Sequence, residues 1–132
     1  MARRDGLTQT AGRLKFVTAY RVDPGDHGPA AELYAELHSR ALRGIFRSDC
    51  FANHPHRHHW SLDGVEDRVT MQGVASIDQG VAFTRNHFCN ELLVSLRSLG
   101  YDELVADLDE AQVDEAAEAA MTNLEALAAT GP

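Results

Sequence analysis

At 132 residues, with a net charge of −8 and only two cysteines, the chain has the size of a single core and too few thiols for a disulfide framework. No stretch approaches the ~18 apolar residues of a membrane span. Arg3 and Arg4 sit where a twin-arginine export signal begins, but Thr8, Gln9, Thr10, Gly12, Arg13 and Lys15 break the apolar run that such a signal needs, so a reducing cytoplasm is the expected compartment.

Charge is unevenly spread. Residues 1–97 hold all 12 basic residues against 11 acidic ones, whereas residues 98–132 hold nine acidic residues and no lysine, arginine or histidine. A tail of that sign repels phosphate and disfavours nucleic-acid binding through the last third of the chain.

In chain order, residues 1–13 read as a flexible lead-in. Residues 14–22 partly alternate, with Leu14, Phe16, Tyr20 and Val22 on one face of a short strand. A helix starting near Asp5 competes, through Leu7, Ala11, Leu14 and Val17, and both readings stay open. The run from Asp23 to Gly28 is a turn by composition. Pro29 then stands at a first helical position, and the recurrence of Ala30, Leu33, Leu37, Ala41 and Ile45 predicts a helix over 29–47, supported by a Glu36–Arg40 pair. Residues 48–62 form a histidine-rich loop, because Pro55 opposes a helix and the segment is densely polar.

A further helix is expected from Gly64, with capping spacing between Asp63 and Glu66, and a break near 76–80. Residues 80–99 align Val81, Thr84, Phe88, Leu92, Ser95 and Leu99 as a helix closed by Gly100. Asp102 opens a short helix carrying Leu104, Val105 and Leu108. Residues 111–129 form an alanine-rich helix in which Val113, Ala117, Ala120, Leu124 and Leu127 step by four and three, a period suited to close packing on another helix of this chain or of a second copy. The expected architecture is mainly α: a compact single-domain bundle of four to five helices, with room for a short N-terminal strand. The histidine-rich loop lies between helices, and residues 101–129 supply acidic, alanine-rich C-terminal helices. A homodimer through the last helix follows from that packing.

Chemistry concentrates between Asn53 and Trp60. Four of the seven histidines, His54, His56, His58 and His59, fall within six residues, next to Asp49 and Cys50. Imidazole is the commonest protein metal ligand. In an extended chain His54, His56 and His58 project to one side, roughly 6.6–6.8 Å apart, and a His-x-His pair converges on a first-row metal. Zinc, iron, nickel and copper all accept imidazole, so the ligand type does not select among them. His87 is a fifth candidate ligand, from a helix. Competing readings are a solvated loop that takes up metal adventitiously, which Arg57 mildly favours, and a pH-responsive contact whose histidines repel once protonated.

Other constellations are weaker. His87 and Glu91 share a helix face, as do Glu32 and Glu36, but the repeated Glu-x-x-His of di-iron bundles is absent. Cys50, His54, His87 and Cys89 offer two sulfurs and two imidazoles in mixed pairs rather than in zinc-finger spacing. A barrel of the cupin type needs a glutamate after its His-x-His; here Asp63 follows His56 and His58, and the flanks read as helical. No nucleophile elbow, phosphate-cradling loop or nucleotide-cofactor motif is present. The acidic residues Asp102, Glu103, Asp107, Asp109, Glu110, Asp114, Glu115 and Glu118 read as a solvated helix surface, with a partner-binding patch as the minority reading.

Two functions follow as expectations. One is a metal-binding helical protein using His54, His56, His58, His59 and His87, with a catalytic or sensing role. The other is a non-enzymatic interaction or regulatory module acting through its helical surface and acidic C-terminal face, as a homodimer or with another protein. Neither nucleic acid nor a membrane is an expected partner, and whether the chain is an enzyme stays open.

Overall fold

The computed structural model describes residues 2–38 and 41–132. Its frame is one antiparallel sheet in which each strand pairs with the next: β1 (Ala2–Ala11), β2 (Leu14–Asp23), β3 (Asp26–Glu36), β4 (Leu42–Asp49), β5 (His56–Trp60) and β6 (Glu66–Thr70). Helices follow. α1 (Ile77–Asn86) and α2 (Leu92–Ser98) are joined by a π turn at His87–Glu91, and α3 (Asp102–Ala106) and α4 (Glu110–Thr130) complete the chain.

The expected mainly α bundle is therefore overturned, and the histidine segment does not connect helices. The strand expected over 14–22 is β2, whose Leu14, Phe16, Thr18 and Tyr20 face the helices. The helix expected over 29–47 is instead β3 and β4. Pro29, Ala30, Ala31, Glu32 and Leu33 are all buried, the helices covering one face of this central strand and neighbouring strand side chains such as Arg3 and Arg47 crowding the other, so no alternation marks it as a strand. Ala30 and Leu33, read as one helical stripe, point to opposite faces of the sheet. The expected Glu36–Arg40 pair lies outside the described residues.

Pro29 is tolerated in a central strand for a local reason. Its carbonyl accepts the Cys50 N–H on the β4 side, so its missing N–H falls on that same side, just beyond the last paired residue of β4. The helix expected from Gly64 is replaced by a hairpin. Trp60 pairs with Glu66, and the intervening turn closes through Gly64 N–H to the Ser61 carbonyl and Ser61 N–H to the Val65 carbonyl. Upstream, Pro24 and Gly25 make the two-residue turn between β2 and β3; Gly25 takes the left-handed φ of +81° that a side chain would resist.

The helices cover one face of the sheet. Phe16 and Phe46 meet Phe88 of the π turn at ring-centroid distances of 6.1 and 6.4 Å. A register shift between Leu33 and Tyr34 leaves Ile45 unpaired, so that Ile45 and Phe46 both enter the core. α4 lies across β1, β2 and β3 and buries Val113, Ala116, Ala117, Ala120, Met121, Leu124 and Leu127 there. The small-residue stripe from which a homodimer was expected is thus spent within the chain. No described helix is long and apolar enough to cross a membrane.

The other face is built from strand side chains, mostly charged, and β4, β5 and β6 bring their functional groups together on it.

Candidate metal centre

Strand register decides which histidines meet. In β5, His56 pairs with Asp49 and His58 with Arg47, so all four side chains share the open face. Arg57 and His59 alternate to the helix face. The polar pattern Arg47-x-Asp49 thus runs beside His56-x-His58.

Asp49 is the centre of the cluster, with its side chain 1% exposed. Its Oδ1 accepts from Arg21 Nη1 at 3.0 Å, and its Oδ2 accepts from Arg47 Nε at 3.1 Å. Oδ2 also lies 3.1 Å from His56 Nε2 and 3.9 Å from His58 Nε2. Burial opposes the charged carboxylate, but the His56 hydrogen bond and the Arg47 and Arg21 charges outweigh it and hold the Asp49 carboxyl below its usual range.

Both imidazoles are oriented by their second nitrogen. His56 Nδ1 faces the His54 carbonyl at 2.6 Å, and His58 Nδ1 faces Glu66 Oε2 at 3.0 Å. These contacts turn each Nε2 inward. The ligand atoms of Asp49, His56 and His58 then lie within 4.8 Å of one another, the only such trio among the described residues. A histidine whose outer N–H is held by a carbonyl or carboxylate is the usual arrangement of a metal ligand.

Each His56 nitrogen faces an oxygen acceptor, one carbonyl and one carboxylate. A neutral imidazole has a single N–H to give. A cation at Nε2 would bridge that nitrogen to the Asp49 oxygen. His58 differs: burial and the neighbouring Arg47 lower its pKa against the Glu66 hydrogen bond, and its Nε2 lone pair accepts from Arg47 Nη2 at 3.0 Å. A buried Asp49/His56/His58 cluster with the donor set to hold a metal ion is therefore present.

The remaining candidate ligands do not join it. His54 stands at the rim with its side chain 81% exposed, 3.6 Å from Asp26. His59 turns to the helix face, where Nε2 lies 3.5 Å from Asp67. His87 is buried across the sheet from the trio, edge-on to Phe46, with Nε2 hydrogen-bonded to Ser95. Burial, with Arg57 and His59 adding to it, pulls the His87 pKa down to about 3. Nor do the two cysteines assemble with histidines. Cys50 contacts Thr84 inside the core, Cys89 contacts Glu118, and burial pushes these thiols up to about 12 and about 11.

A depression of about 340 Å³ opens above the trio, walled in part by Asp23, Asp26, Phe51, His54, Arg47 and Arg68. A larger hollow of about 440 Å³ sits at the other end of the strands, lined by Leu37, Leu62, Tyr101 and Leu104. Its His38 and Glu103 are both exposed and 3.5 Å apart, and it gathers no ligating trio among the described residues.

Sequence reasoning noted Asp49 as a neighbour of the histidines but did not place it among the ligands, and it passed over Arg21, Arg47 and Glu66. The missed signal was the matched period of two in Arg47-x-Asp49 and His56-x-His58.

Residues 8–124 match a family model described as Domain of unknown function (DUF7700). Neither the curated proteins nor the solved structures contain a match.

Proposed function

We propose, for a chain that belongs to the family described as Domain of unknown function (DUF7700), a metal-binding function centred on Asp49 Oδ2, His56 Nε2 and His58 Nε2. The observation that carries this reading is the position of His56, anchored through Nδ1 and aimed through Nε2 at a buried carboxylate oxygen. The Glu66 contact that turns His58 the same way supports it.

Two imidazoles and one carboxylate suit zinc or ferrous iron, with nickel and copper also accepted by the nitrogens. Three protein ligands leave positions open, as catalytic and sensing sites do and closed structural sites do not. The depression above the trio gives those positions access to a small molecule. His54, His59 and His87 have no part in this site, so the functional set is smaller than the histidine cluster and includes an acid.

The test is a calorimetric titration of zinc into the wild-type protein and into a His56→Ala/His58→Ala variant. Saturable binding near one equivalent, lost in the variant while its circular dichroism is unchanged, is the expected result. Equal binding by the two proteins would remove the proposal.

A further inference from the structure

One guanidinium occupies the ground a metal would take. Arg47 bonds two of the three ligand atoms at once, through Nε to Asp49 Oδ2 at 3.1 Å and through Nη2 to His58 Nε2 at 3.0 Å. An incoming cation meets this positive group at short range, so it must displace Arg47 to reach Asp49 and His58. Arg21 need not move, because it holds the other oxygen, Oδ1.

The displaced side chain has somewhere to go. Its own side chain is 32% exposed, and it lies on the rim of the depression. On the far side of His58 stands a second arginine. Arg68 pairs with His58 across the β5–β6 ladder, so it shares the open face, is exposed, lines the same depression and makes no ion pair among the described residues. Once Arg47 is released, the two guanidiniums flank the open side of the trio, from β4 and from β6. Planar guanidinium forks bind carboxylate and phosphate oxygens in pairs.

We propose that the site takes its metal together with a small oxyanion, of the carboxylate or phosphate class, with Arg47 exchanging from the ligand atoms to the oxyanion and Arg68 completing its cradle. Arg47 is then both the internal competitor of the metal and a specificity residue for what binds beside it. This rests on the metal-binding reading above and adds to it the identity of the second ligand.

Trp60, the chain's single tryptophan, provides the readout, since it stacks on His58 at a centroid distance of 5.8 Å and an interplanar angle of 13°. Cobalt(II) is titrated while tryptophan fluorescence is followed, with no added oxyanion, with acetate and with inorganic phosphate, each corrected for cobalt bound in solution. Wild type, Arg47→Gln, Arg68→Ala and His56→Ala/His58→Ala are compared, with Arg47→Lys as a second variant if the glutamine protein fails to fold. Without oxyanion, Arg47→Gln is expected to bind cobalt on the order of tenfold more tightly than wild type, because a charge-assisted competitor has gone. Lysine, unable to span both ligand atoms, is expected to shift binding the same way. Wild type is expected to gain affinity on the order of tenfold with oxyanion, a gain that Arg47→Gln and Arg68→Ala lose. A gain with acetate alone assigns the carboxylate class, and a gain with phosphate alone the phosphate class. Cobalt binding that depends on His56 and His58 but is indifferent to oxyanion and no tighter in Arg47→Gln overturns this inference and leaves the metal site standing. Cobalt that does not bind, or binds equally without the two histidines, overturns both.

Discussion

At the scale of single residues, Asp49 and His87 show how burial sets two opposite electrostatic situations. Asp49 is a buried carboxylate whose charge is compensated by Arg21, Arg47 and His56. Removing it takes away the one carboxylate that Arg21 and Arg47 share, leaving Arg21 with Asp23 and Arg47 with the neutral acceptor nitrogen of His58. Asp49→Ala is therefore expected to lower unfolding stability by about 3 kcal/mol in a urea titration, whereas Asp5→Ala, which breaks only the exposed pair with Arg3, changes it by less than about 1 kcal/mol. Equal small effects would show that the open-face network adds little.

His87 is buried neutral, with a folded pKa of about 3 against an ordinary value near 6.5. As pH falls below about 6.5 the unfolded chain takes up the proton first, so stability declines from there towards pH 3, at up to about 1.4 kcal/mol per pH unit. The His87→Gln variant is expected to lose that part of the acid slope. Parallel curves for variant and wild type between pH 6.5 and pH 4 would contradict the assignment.

At the scale of elements, the site depends on how closely β3 lets the chain after β4 approach. A Cβ on Gly28 would lie 2.2 Å from the Cys50 carbonyl oxygen, one residue beyond Asp49. Backbone cannot yield as a side chain tip does, so Gly28→Ala is expected to cost about 2 kcal/mol or more and to weaken metal binding by moving Asp49. Gly25→Ala, with nothing within 4 Å but a φ of +81°, is the comparison: it is expected to cost about 1 kcal/mol and to leave metal binding intact. A Gly28→Ala protein as stable as wild type would show that this approach has slack.

The same elements explain what was legible in the sequence. β2 was half legible, against the competing helix from Asp5, because Lys15 and Val17 stay half-exposed between buried Leu14, Phe16 and Thr18. β3 could not, since buried Ala30 and Glu32 on one face and Ala31 and Leu33 on the other erase the period of two. The C-terminal helices were legible because one face of each meets the sheet or a neighbouring helix and the other meets water. The histidine cluster announced itself by composition, but only the register of β4 against β5 separates His56 and His58 from His59 and recruits Asp49. That pairing is a long-range fact, which local patterns do not carry.

At the scale of the whole molecule, the two faces of the sheet divide the labour. The helix-covered face holds the apolar core, from Leu14 and Phe16 to Met121 and Leu124. The open face can then be given to charged groups without loss of that core, and the trio sits there, supported by backbone fixed from behind. The edge strand β6, exposed along its length, carries Glu66, Asp67 and Arg68, charges that discourage pairing with another sheet while Glu66 orients His58. A metal bound only by the folded protein would stabilise it by about 2.7 kcal/mol at a hundredfold excess over its dissociation constant.

Elemental analysis of the tag-free protein, purified without chelator, is the decisive experiment for the proposed metal site of Asp49, His56 and His58 on the open face. Close to one transition-metal ion per chain is expected in the wild type, and its loss in the His56→Ala/His58→Ala variant, with the fold retained. Wild-type protein that is metal-free and takes up none at micromolar metal, or a double variant with undiminished metal content, would contradict it.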